Sequence, residues 1–78
     1  MKTEIINRDT IRVYFAENCA ETFTFKGWEG YGKRRVYVSS DSSRGQIGYI
    51  DMESKQFSKR SISTITQTAI NAYLAQAI

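Results

Sequence analysis

Short runs of alternating apolar and polar residues fill the first two thirds of the chain, separated by clusters of Gly, Asn, Asp and Ser. Runs of strand length fall at 2–6, 10–15, 22–26, 34–38 and 46–52. Turn residues divide them at 7–9, 17–21, 27–32, 39–45 and 53–55. Spacers this short imply consecutive hairpins, hence an antiparallel β-meander of four to five strands. The alternative is a helical turn within 11–21, because Ala16 to Glu21 is not strand-like. After Ser61 the period lengthens. Ile62, Ile65, Ala69, Ala72, Tyr73 and Ala77 fall on one helical stripe, widened by Ile70 and Leu74, opposite Thr64, Gln67, Thr68 and Asn71. This pattern predicts one amphipathic helix over about 61–77, N-capped by Ser61 and laid across one face of the sheet. The fold class is α+β, in a single domain over 1–78 with its sheet at about 2–57.

Period-two parity assigns the faces. Ile11, Val13 and Phe15 point to the helix, as do Phe23, Phe25, Val36 and Val38. In 46–52, Ile47, Tyr49 and Asp51 share one side, with Ile50 and Met52 on the other. The outer face then collects Arg12, Tyr14, Lys26, Arg35 and Tyr37, with Tyr49 a further candidate. Aromatics alternating with cations on an open sheet can stack bases while neutralising phosphates. Tyr, Thr, Lys and Arg are also ordinary residues for a solvated strand face, so the pattern alone does not require a ligand.

Composition supports the strands and removes much chemistry. Nine Ile and seven Thr stand against one Leu, with ten aromatics in 78 residues. There is no histidine, which removes the usual neutral-pH general base and the commonest transition-metal ligand. Cys19, the single cysteine, sits near Glu17 and Glu21, which oppose thiolate formation. One unpaired thiol fits a reducing compartment, and no run reaches membrane-spanning length. Met1 to Glu4 lack the apolar character of a leader, so the expected setting is cytoplasmic, with no membrane partner. The net charge of +3 is uneven: residues 31–60 carry 7 basic and 3 acidic side chains, and residues 61–78 carry none.

The segment from Lys26 to Arg35 is the first functional candidate. It reads as a glycine-rich loop holding Trp28, Tyr31, Lys33, Arg34 and Arg35. Glycines let a partner approach closely, and Trp, Tyr and Arg dominate binding hot spots. Neither the Walker nor the dinucleotide-binding glycine spacing is present. Lys59 and Arg60, just before the helix, form a second candidate as an anion site with the free N–H groups there. Asp41 with Glu53 and Lys55 loosely matches a metal-dependent nuclease arrangement. Both acids lie in turn sequences, so neither catalysis nor a cofactor or metal is expected.

In size and layout the chain resembles the small phage-encoded inhibitors of the anti-CRISPR kind, which occupy binding surfaces of host nucleic-acid-processing complexes. The resemblance rests on no motif and carries no residue over. Such inhibitors are often acidic DNA mimics, whereas this chain is basic. It implies a non-enzymatic binding protein whose basic aromatic surface meets a protein or nucleoprotein. Two alternatives stand beside it: a direct single-stranded nucleic-acid binder, and a homo-oligomer, such as a homodimer, using a sheet edge or the uncharged helix.

Overall fold

A computed structural model describes residues 1–30, 32–42 and 46–76, apart from the side chains of Glu29 and Lys33. Six strands form one antiparallel sheet in chain order: β1 (Lys2–Asn7), β2 (Thr10–Ala16), β3 (Cys19–Gly30), β4 (Lys33–Ser40), β5 (Gln46–Asp51) and β6 (Gln56–Phe57). The helix α1 (Thr64–Gln76) follows. The α+β meander is therefore present with six strands in place of four to five. The added strand is β6, whose two residues pair with Ile50 and Asp51.

Two segments read as turn or loop are strand instead. Residues 17–21 reduce to a two-residue turn, Glu17–Asn18, with Ala16 opposite Cys19. Asn18 takes the left-handed conformation that this turn requires, at φ 61°. No helical turn forms within 11–21. The 27–32 loop is likewise the end of a hairpin, in which β3 and β4 stay paired to Gly30 opposite Lys33. Gly32, at φ +74°, turns the chain there.

The twelve residues of β3 serve two partners. Cys19–Thr24 pair with β2, and Phe23–Gly30 pair with β4. Only Phe23 and Thr24 have opposite partners in both neighbours. Phe25 N–H closes the join by donating to Asp9 O at 2.8 Å. This stagger gives the molecule its 43 Å long axis.

The core lies on the helix side of the join. Ile11, Val13, Phe23, Phe25, Val36, Val38 and Ile50 from the sheet are buried with Ala69 and Ile70 from the helix. Parity fails at two of the expected positions, and both coincide with a register shift. Phe15 lies at the irregularity between Tyr14 and Ala16 and is 44% exposed. Ile47 lies at the one between Val38 and Ser39 and packs against the core with Ile50 and Met52, leaving Tyr49 on the other face. A bulge adds one residue and so reverses the alternation locally. Gly48 is required beside it, because a Cβ there would meet the Phe57 ring at 2.5 Å.

The helix N-cap falls two residues later than expected, and α1 begins at Thr64. Ser63, not Ser61, is the N-cap: its Oγ accepts the Thr66 N–H at 3.1 Å and its carbonyl accepts the Gln67 N–H at 3.0 Å. Thr66 is buried, with its hydroxyl satisfied by Ser63 Oγ at 2.9 Å. The helix has no acid in its first turn and no base in its last, so packing holds it in place. Tyr73 stacks on Phe25, with centroids 4.3 Å apart and planes 10° from parallel. Gln76 Nε2 adds a bond to Arg8 O at 3.2 Å. Ala77, assigned to the helical stripe, lies outside the described residues.

Burial, with a smaller contribution from Asp9, raises the Tyr73 phenol above its ordinary value of 10.0. The fold thus favours the neutral ring. That stabilisation is complete below pH 10 and is lost as pH rises through the raised value. Urea midpoints followed into the alkaline range should fall beyond pH 10. Tyr73→Phe, which keeps the stack, should make that fall shallower; an unchanged alkaline limb in the variant contradicts the assignment.

Candidate nucleic-acid interface

The face of the sheet turned away from α1 carries the candidate site, and strand pairing builds it. Lys26 is opposite Tyr37, Trp28 opposite Arg35, Tyr37 opposite Tyr49 and Arg35 opposite Asp51. Directly opposed residues share a face, so one surface holds Lys26, Trp28, Arg35, Tyr37 and Tyr49. Trp28 and Tyr37 meet edge to face with centroids 6.4 Å apart. Tyr37 and Tyr49 follow at 5.7 Å, and the Arg35 guanidinium lies over the Tyr49 ring, 4.5 Å from its centroid. The result is a line of three rings across three strands, with two cations beside it.

Charge on this face is steady. Tyr37 raises the Arg35 guanidinium above its ordinary value, with Tyr49 and Asp51 adding to the effect. Tyr14 does the same for Arg12, followed by Glu4. Both guanidiniums therefore stay cationic at neutral pH.

Arg12 and Tyr14 occupy the same face on β2, yet they belong to a separate cluster. Arg12 Nη1 lies 3.4 Å from Glu4 Oε1, and the Tyr14 hydroxyl donates to the same oxygen at 3.0 Å. Arg12 Nε also donates to Thr22 Oγ1 at 3.2 Å. Glu4 thus offsets much of the cation that β2 offers. Sequence reading missed Glu4, although the Asn7–Arg8–Asp9 turn implies a register that sets it opposite Arg12.

The Lys26–Arg35 cluster is divided by the hairpin, because neighbouring residues on a strand point to opposite faces. Trp28 and Arg35 join the outer face. Arg34, opposite Glu29, lies on the helix side and lines a cavity of about 400 Å³ with Gly27, Val36, Met52 and Tyr73. Tyr31 and the Lys33 side chain lie outside the described residues. Trp28 is 41% exposed and folds over Gly30, where a Cβ would come within 2.5 Å of the indole.

Lys59 lines a pocket with Ser63 and Thr66 at the helix start, where Ser63 Oγ takes the Thr66 N–H. Lys59 and Arg60 together border a second groove of about 340 Å³ with Lys55, over Phe57, Ile62 and Leu74. Asp41 and Glu53 lie beyond opposite ends of β5. Asp41 Oδ1 accepts the Thr22 N–H at 3.0 Å, which ties it to the sheet. Among the described residues no group of three or more acidic, Cys or His side chains could hold a metal, and no helix is long and apolar enough to cross a membrane.

The packing of Trp28 on Gly30 is directly testable. Gly30→Ala should lift the indole from the strand and red-shift its emission, with the fold kept as judged by circular dichroism. An unmoved emission maximum would show that the indole does not rest there. No known protein family, curated protein or solved structure matches the chain.

Proposed function

We propose that the chain is a non-enzymatic binding protein that engages single-stranded nucleic acid, free or within a nucleoprotein, on the face of β3, β4 and β5. The observation that carries this reading is the line Trp28–Tyr37–Tyr49, with Arg35 stacked on its last ring and Lys26 beside its middle one. Aromatic side chains on an open sheet accept unstacked bases of any identity, each worth about 1–3 kcal/mol. Arg35 and Lys26 neutralise the phosphates between them, and the net charge of +3 favours approach of a polyanion. Duplex nucleic acid keeps its bases inside, so rings on an open sheet have little to stack on. Sequence preference should be weak, because the line offers faces rather than a set of donors and acceptors aimed at base edges.

A nucleoprotein with an exposed strand presents the same chemistry. In that form the chain would act as an inhibitor of the phage-encoded kind, blocking a nucleic-acid-processing complex by covering its strand.

Trp28 is the single tryptophan, so its emission reports on the site. Single-stranded RNA or DNA should quench it, with affinity falling as salt rises. Arg35→Ala should reduce the logarithmic salt slope by about 0.7, and Tyr49→Ala should weaken binding by about 1–3 kcal/mol. Absence of any change at low salt, with either strand type, overturns the proposal.

A further inference from the structure

The two edges of the sheet are built differently. On one side β6 covers part of β5, and Ser58 continues the closure: its N–H donates to Tyr49 O at 2.8 Å and its Oγ accepts the Tyr49 N–H at 3.0 Å. On the other side all six residues of β1 are exposed. Met1, Ile5 and Ile6 are 64%, 53% and 45% exposed there. β1 pairs only with β2 among the described strands, so its outward N–H and C=O groups form a template for one more strand.

We propose that the strand added to this edge is β1 of a second copy of the chain, antiparallel and centred on Thr3. A two-fold axis makes residues with a constant sum of numbers face each other, and the pleat admits only even sums. With Thr3 on the axis, Lys2 faces Glu4 of the second copy and Met1 faces its Ile5. Centring on Glu4 sets two carboxylates against each other. Centring on Ile5 sets Lys2 against Arg8. Charge complementarity therefore selects one register. The strand admits this register, because its regular pairing with β2 covers Lys2 to Ile5 and shifts only before Asn7, so the facing residues 2–4 lie within the even segment.

The helix favours the same arrangement. Thr68 Oγ1 lies 3.7 Å from Met1 Sδ, so α1 flanks this edge. From Ser61 onward the chain carries no charged side chain, and two helices brought side by side would not repel each other. Pairing also extends the sheet, placing the Arg12–Tyr14–Glu4 clusters of the two copies next to each other between their two ring lines. The inference concerns a different surface from the nucleic-acid face and stands or falls without it.

Sedimentation equilibrium or light scattering on the full chain, without nucleic acid, tests this. The mass should rise with concentration toward twice 8.9 kDa. Ile5→Lys should raise the dimer dissociation constant by about tenfold or more, by removing the Met1–Ile5 contact twice. Ile6→Lys, which lies outside the segment 1–5 that pairs in this register, should leave the constant unchanged. Thr3→Lys, bringing two cations together on the axis, provides a second disrupting variant should Ile5→Lys fail to fold by circular dichroism. A monomer at every concentration overturns the proposal. So does a dimer indifferent to Ile5→Lys and Thr3→Lys, or one equally sensitive to Ile6→Lys.

Discussion

The structure depends on the join inside β3, where Phe23, Thr24 and Phe25 link two staggered hairpins under Tyr73. Neither hairpin could bury its own apolar face, and a two-stranded ribbon is marginal in water. The join gives Phe23 a β2 neighbour in Ile11 and Phe25 a β4 neighbour in Val38, so both rings become fully enclosed. The Phe25–Tyr73 stack then pins the helix at this point, and that helix has no charge to complement its dipole. Replacing either Phe by a small residue would cost about 3–5 kcal/mol, a large fraction of what a domain of this size possesses.

The same join creates the face that carries the ring line. Because the helix occupies one side of the sheet, period-two alternation sends every second residue of β3 and β4 to the other. The overhang of β3 and β4 beyond β2 carries Lys26, Trp28, Arg35 and Tyr37 together, and β5 adds Tyr49. Backbone pairing holds the rings in line, Trp28 through β4 alone and Tyr37 through both β3 and β5. Preorganisation of this kind lowers the cost of ordering side chains when a ligand binds. Toward β1 the face changes character, since Glu4 engages Arg12 and Tyr14.

Much of this was legible from alternation alone. Ile11, Val13, Phe23, Phe25, Val36 and Val38 occupy the core side expected of them, and the outer residues follow. The failures have local causes. Phe15 and Ile47 sit at register shifts, which period-two counting cannot anticipate. The segment 27–32 looked like a loop because glycine has low strand propensity, yet Gly27 and Gly30 lie in a paired strand, one beneath the Trp28 indole. Ser61 and Ser63 are equal as caps in sequence, and only the position of Thr66 against the core separates them. Tertiary packing decided each of these cases.

The most direct test of the central claim, that the uncovered side of the sheet is the working face, is an amide and side-chain NMR perturbation map. It would be recorded while a short single-stranded oligonucleotide is added at low salt. The account predicts shifts gathered at Lys26, Trp28, Arg35, Tyr37 and Tyr49, with the exposed helix positions Gln67 and Asn71 unmoved. Shifts centred on the helix, or on the groove bordered by Lys59 and Arg60, would contradict it.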